Sequence, residues 1–225
     1  MSTERSVDWE KDIYAKGQQV NTWPYTDVVS TVMSGFPSAE SRQTARFLEI
    51  GCGTGNNLWS AGRSGFAVAG MNVSPTAIEF TKKRLVSEGI TQACLRVGSL
   101  VSLPWEDEQF DLVVDRAAVT HNTYTDIRSG LREVHRVMKP NAFLYSFTLF
   151  GLSNPDRKLG TEVAPNTFDG FSGGFFSKVG LTSFFDFHEI EQLFSVFRDV
   201  QIVKRVKEDR SGRVLLETFD VACRK

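Results

Sequence analysis

The residues best equipped for chemistry begin at Glu49-Ile-Gly51-Cys-Gly53-Thr-Gly55-Asn-Asn57, which join a short apolar run to a helix-length stretch. Alternate glycines allow positive φ and let a ligand approach the backbone at the positive end of a helix. That placement predicts a cofactor site. The GxGxG spacing differs from the GxGxxG dinucleotide fingerprint, whose last glycine falls one residue later, and no lysine follows, which excludes a P-loop. Taken alone, GxGxG also fits a tight turn between strand and helix. A second set, Asp115-Arg116 and Thr120-His121-Asn122, follows a later apolar run, where α/β sheets hold their ligands beyond the carboxyl ends of the strands. His121 is the candidate base or substrate-positioning group; the alternative is a surface-loop histidine without a role.

From Arg46 onward, β-rich runs alternate with amphipathic stretches, the pattern of a parallel sheet covered on both faces. Strands are predicted at 46–50, 67–71, 93–97, 109–114 and 143–149. A helix is expected over 56–63, and another from Ser74-Pro75, a good N-cap and first-turn pair, to Gly89. Ile127, Leu131, Val134 and Met138 share the face of a third helix, ended by Lys139-Pro140. The stretch after Leu149, rich in Gly, Ser and Phe, is too long for an ordinary connection and reads as a lid or a poorly ordered loop. Asp186 and Glu189 form a capping box, with Phe185 and Ile190 as its staple, ahead of the face Ile190, Leu193, Phe194 and Phe197. Val200–Val206 and Val214–Cys223 flank a turn at 209–212 as an antiparallel hairpin at the sheet edge.

These elements predict one α/β domain over 1–225: a Rossmann-like, mostly parallel seven-stranded sheet with helices on both faces and an antiparallel C-terminal hairpin. An N-terminal cap or flap spans 1–43, a cofactor-binding core 44–150, a Phe/Gly-rich substrate insertion 151–185, and the last helix and hairpin 186–225.

The chain of 225 residues has a formal charge of −1 and a pI near 6.3, without the basic face of a nucleic-acid binder. Lys204, Arg205, Lys207, Arg210 and Arg213 are interrupted by acids and read as a solvated hairpin. The polar start, Met1 to Asp12, does not resemble a signal peptide and no apolar run reaches membrane-spanning length, so a soluble, cytoplasmic protein without membrane partners is expected. Cys52, Cys94 and Cys223 are odd in number and far apart, which predicts reduced thiols and no metal site.

The run Phe47-Leu-Glu-Ile-Gly-Cys-Gly-Thr-Gly-Asn56 resembles motif I of the class I S-adenosylmethionine-dependent methyltransferases. Val73-Ser74-Pro75, Leu103-Pro104-Trp105, Phe110-Asp111-Leu112-Val113 and Glu133-Val-His-Arg-Val-Met-Lys-Pro140 follow in the order of that family. The likeness is close over 44–150 and topological elsewhere. It implies S-adenosylmethionine as cofactor, with Glu49, Gly51, Cys52, Gly53, Gly55, Asn56 and Asn57 around its methionine part. Asn72, Val73 and Ser74 would lie at the ribose, and Gly98, Ser99 and Leu100 at the adenine. Asn72 and Ser99 stand where the family usually has acids, which implies weaker binding or a changed cofactor preference.

The implied activity is methyl transfer to an O or N atom of a small-molecule acceptor, such as a metabolite, sugar or secondary metabolite. The alternative is a non-catalytic cofactor-binding module derived from such an enzyme; a nicotinamide-dependent oxidoreductase is disfavoured by the loop spacing. His121 is then the base, while Asp115 orients the acceptor or holds the cofactor's amino end. Arg116 pairs with an anionic substrate, although both it and Asp115 also suit structural ion pairs. His135 and His188 lie within helices and read as packing or exposed residues, and Asp111 as structural. Tyr14, Trp23 and Tyr25 are expected to form an aromatic flap over the site, or a strap packed on the sheet. Among 18 Phe, Phe168, Phe171, Phe175 and Phe176 fall in the insertion. Phe171 and Phe175 are the expected acceptor walls, which implies a small, partly apolar acceptor. The protein is expected to act as a monomer or homodimer.

Overall fold

A computed structural model describes residues 6–225. Of the N-terminal cap expected over 1–43, residues 1–5 lie outside the described residues. The chain opens with a π-helical turn, Trp9–Tyr14, then α1 (Thr26–Gly35) and α2 (Ala39–Gln43). Alternation follows through β1 (Arg46–Ile50), α3 (Asn56–Arg63), β2 (Ala67–Asn72), α4 (Pro75–Ser87), β3 (Cys94–Val97), β4 (Phe110–Arg116), α5 (Tyr124–Val137) and β5 (Met138–Phe150). Three short strands, β6 (Thr161–Ala164), β7 (Thr167–Asp169) and β8 (Thr182–Ser183), precede α6 (Phe187–Leu193), β9 (Arg198–Glu208) and β10 (Val214–Arg224).

The main sheet has seven strands in the order β3-β2-β1-β4-β5-β10-β9, parallel through β5, with β10 and β9 antiparallel at one edge. The expected mostly parallel sheet with a C-terminal hairpin is therefore the observed fold. Its order reverses between β1 and β4, the switch point where such sheets open a ligand crevice. Alternate residues feed two cores: Leu48, Ile50 and Val113 face α5 and α6, while Phe47, Leu112 and Val114 face α1 and α3.

Local rules placed most helix boundaries. Ser74 Oγ accepts from Ala77 N–H at 3.0 Å to cap α4, and Asp186 and Glu189 close a reciprocal capping box on α6. Two boundaries differ. Met138 does not extend α5: its backbone is extended, φ −74° and ψ 138°, and it begins β5. Pro140, which favours extended backbone before it, lies inside that strand, where the β4–β5 register shifts between Phe110 and Leu112 and Asn141 takes φ 67°. The helix of Phe187 ends at Leu193, leaving Phe194 as its cap and Phe197 beyond, both buried in the core.

The insertion is neither a loop nor a bare lid. β6, β7 and β8 form a small antiparallel sheet over a core of Phe150, Phe168, Phe171, Phe176, Val179 and Phe184. Phe176 lies edge-on to Phe150 and Phe184, with centroids 4.9 and 5.0 Å away. Asn154 fastens this subdomain to β10: its Nδ2 donates to Glu217 O at 2.7 Å, and Glu217 N–H donates to Asn154 Oδ1 at 3.0 Å. The basic residues of the hairpin are largely paired, Lys204 with Glu217, Arg205 with Asp220 and Arg213 with Asp209. Among the described residues, no helix is long and apolar enough to cross a membrane.

Gly130 lies in the middle of α5, where glycine costs about 1 kcal/mol of helix propensity. A Cβ there would overlap the Leu100 side chain, with Cδ2 at 2.7 Å. Gly130→Ala should therefore destabilise, since overpacking of about 1–3 kcal/mol exceeds the propensity gained. Thermal melts should show a lower Tm for Gly130→Ala, and added Leu100→Ala should relieve the clash so that the two losses are less than additive.

Candidate functional site

Three glycines hold the β1–α3 loop in left-handed geometry, with φ of 65°, 52° and 75° at Gly51, Gly53 and Gly55. Gly51 and Gly55 are needed for contact: a Cβ at Gly51 would overlap that of Ala118, and one at Gly55 would lie 2.5 Å from Thr81 Cγ2. Gly53 instead faces the crevice, where a Cβ would meet the Tyr14 hydroxyl at 3.1 Å. Thr81 Oγ1 donates to Gly53 O at 2.9 Å and fixes the loop against α4. The Cys52 side chain is buried, with Sγ 3.1 Å from a Cβ built on Gly70, so only its backbone belongs to the loop surface.

Two buried acids end the strands on either side of the switch point. Glu49 Oε1 accepts from Asn57 Nδ2 at 2.7 Å, while Oε2 has no hydrogen-bond partner among the described residues. Burial pushes its carboxyl up to about 8. Thr54 Oγ1, in the same loop, is also buried without a partner. Such orphans are costly unless a ligand completes them. A carboxyl group and a hydroxyl beside the glycine loop fit the ammonium and carboxylate of an amino-acid-bearing cofactor. Asp115, in contrast, has donors on both oxygens: Oδ1 accepts from Ala118 N–H and Val119 N–H at 2.8 and 3.0 Å, and Oδ2 from Ser146 Oγ at 2.6 Å. Burial raises it to about 6. Its evident work is to fold the turn that carries His121.

His121 is buried on that turn, with Nδ1 3.1 Å from Leu181 O and 3.2 Å from Thr182 Oγ1. Leu181 O can only accept, and Thr182 Oγ1 spends its proton on Gly180 O at 2.9 Å. Both partners therefore call for a proton on Nδ1. Phe150 lies 6.0 Å from the imidazole and Trp9 5.4 Å from it.

The N-terminal segment forms a strap across this crevice. Ser6 bonds to Asp169 of the insertion, Glu10 grips Ser74 and Thr76 at the start of α4, and Tyr14 covers Gly53. The wide π-helical turn puts Trp9 and Tyr14 on the same side, with centroids 6.0 Å apart. Farther on, Asn56 Nδ2 donates to Trp23 O at 3.0 Å and Tyr25 N–H donates to Asn57 Oδ1 at 3.0 Å.

Several expected site residues have other surroundings. Trp23 is 74% exposed and its ring packs on Trp59. Tyr25 stacks under Arg116 at 4.1 Å, and Arg116 Nε lies 3.4 Å from Asp27, out of line for a hydrogen bond, so Arg116 is engaged by the strap and α1. The Asn56 and Asn57 amides bind the strap, and that of Asn57 also binds Glu49 of β1. Phe171 is inside the insertion's own core, because its neighbours are other phenylalanines, whereas Phe175 is exposed. Leu100 packs into the main core, while Val73 and Ser99 are exposed at the strand ends and Gly98 N–H donates to Asn72 O at 3.0 Å. Trp9 and Glu10 were not legible as site residues, since only their long-range partners give them a role. Among the described residues, no three His, Cys, Asp or Glu side chains could hold a metal ion.

Residues 48–146 match a family model described as a methyltransferase domain. The uncharacterized methyltransferase YcgJ of Bacillus subtilis is 29% identical over 102 residues, 45% of this chain and 40% of that protein. Ajmaline N-methyltransferase of Rauvolfia serpentina is 27% identical over 126 residues, 55% of this chain and 41% of that protein. The chain thus spans less than half the length of these two relatives. A crystal structure of a SAM-dependent methyltransferase from Methanosarcina mazei shares the fold, with a TM-score of 0.69 and 22% identity, covering 90% of this chain and 98% of that one. Residues 48–146 thus match a methyltransferase domain, and the seven-stranded sheet that holds them has the fold of a SAM-dependent methyltransferase.

Proposed function

We propose that the protein is an enzyme that methylates an O or N atom of a small-molecule acceptor, using S-adenosylmethionine. The observation that carries this reading is His121, held with its proton on Nδ1 beneath Trp9, on the same turn as Ala118, which abuts the glycine loop. When bound, S-adenosylmethionine supplies an electrophilic methyl group that needs no further activation. The chain's own residues then have three tasks. Glu49 and Thr54 bind the amino-acid end, Trp9 and Tyr14 exclude water, and His121 Nε2 takes the proton that an acceptor O–H or N–H must lose. Among the relatives, ajmaline N-methyltransferase is named for a small-molecule acceptor, which favours the same class here.

The non-catalytic reading draws on Asn72, whose Oδ1 accepts from Ser74 N–H at 2.9 Å. Screening a metabolite panel for S-adenosylhomocysteine release separates the two. His121→Ala should lower turnover about 10²–10⁴-fold, the usual contribution of a general base, while cofactor affinity by calorimetry stays within about threefold. Unchanged turnover would remove His121 from the mechanism.

Glu49 gives a second, pH-dependent expectation. Its folded value of about 8 exceeds the ordinary 4.5, so the unfolded chain ionises first and stability is lost as pH rises between those values. The slope approaches about 1.4 kcal/mol per pH unit. Cofactor-free Glu49→Gln should therefore gain Tm relative to the parent as pH goes from 5 to 8. It should also bind S-adenosylmethionine more weakly, and lose the parent's rise in affinity over pH 6–8. A Tm difference that does not change with pH would contradict a buried, protonated Glu49.

A further inference from the structure

The end of β2 is the corner where a doubly wound sheet ordinarily presents an acid to the ribose hydroxyls of a nucleoside. Here that strand ends in Asn72, and the Asn72 carbonyl oxygen is already engaged by Ser74 N–H at 2.9 Å. Its NH₂, a donor only, faces the Tyr14 hydroxyl, and its oxygen keeps one lone pair. A ribose diol has two protons to give, of which that oxygen can accept one. A carboxylate nevertheless stands at this corner, delivered by a different element. Glu10, in the π-helical turn of the strap, accepts from Thr76 Oγ1 at 2.6 Å through Oε1, and through Oε2 from Thr76 N–H at 3.2 Å and the Ser74 hydroxyl. Ser74 is thus bonded to both Asn72 and Glu10.

These donors hold the Glu10 carboxyl below its ordinary range, so it is ionised at neutral pH. An ionised carboxylate offers about four acceptor sites, and three donors occupy this one. One acceptor position remains, on Oε1. The residues around it are also the start of the cofactor crevice: Ser74 and Thr76 open α4, whose Thr81 fixes the glycine loop.

We infer that Glu10 is the ribose-binding acid of this chain, supplied by the N-terminal strap instead of by β2, with the Asn72 amide as its companion. The inference rests on the proposed S-adenosylmethionine site and adds a residue to it. It also couples two events. Glu10 lies one residue from Trp9, which covers His121, and four from Tyr14, which covers Gly53. A nucleoside that engages Glu10 therefore holds the strap over the acceptor side as well.

Calorimetry on the full chain with S-adenosylhomocysteine and its 2′,3′-dideoxy analogue tests this. The parent should prefer the diol form at least tenfold. Glu10→Gln should weaken S-adenosylhomocysteine at least tenfold while leaving the dideoxy analogue within about twofold, and Asn72→Asp added to Glu10→Gln should restore most of the loss. Equal weakening of both ligands, or no weakening, would overturn the inference and leave Glu10 as a cap and latch only. Failure of Asn72→Asp to rescue would overturn it as well, since a restored acid on β2 should substitute for a diol contact but not for a latch. A parent that binds neither ligand at millimolar concentration would overturn the cofactor site itself, a result distinct from the other three.

Discussion

Much of this molecule hangs on the burial of two carboxylates in adjacent strands. Glu49 and Asp115 lie at the ends of β1 and β4, one register step apart and on opposite faces of the sheet. Each spends its acceptor capacity on a different neighbour. Glu49 holds Asn57 and through it the strap backbone at Tyr25, so the α3 side of the crevice is tied to a buried carboxyl group. Asp115 folds the Ala118–Val119 turn and takes the Ser146 hydroxyl, which puts Ala118 against Gly51 and carries His121 to Leu181. One acid has donors on both oxygens; the other has a donor on Oε1 and, among the described residues, none on Oε2.

The division of labour among the aromatic residues follows from packing. A small sheet of three short strands has too little area to close a core with aliphatic side chains alone, and the insertion fills its interior with phenylalanines arranged edge-to-face. That leaves little of the Phe excess to line an acceptor chamber. The rings beside His121 are Trp9, from the strap, and Phe150, from the end of β5. The proposed acceptor surface thus draws on the strap and the end of β5, with the insertion packed behind Phe150.

What could be read from sequence was what local chemistry decides. The glycine loop, the Ser74 and Asp186 caps and the hairpin each depend on residues within a few positions of one another. So does the alternation that sorts Leu48 and Ile50 from Phe47 into separate cores. The failures are long-range. Met138 matched the helical period of α5, yet Pro140 two residues on and pairing with Phe110 took it into β5. Trp23 and Tyr25 had the right residue types for a flap, but the turn into α1 directs Trp23 outward and Tyr25 beneath Arg116. Glu10 sat in a polar stretch whose composition says nothing about the corner it reaches, 64 residues away at Ser74.

The strap's bond from Ser6 to Asp169 spans 163 residues, far more than the separations within β1–β4. Contacts of such sequence separation carry a large loop-closure cost and form late. The parallel core can assemble before this tie exists, whereas the strap must wait until β7 has been made and folded. The strap is thus among the last segments to find its place, and by the same reasoning the easiest to release from a finished molecule. Local opening at the N-terminus would expose the crevice while the seven strands stay paired, so access to the site is separated energetically from the integrity of the sheet.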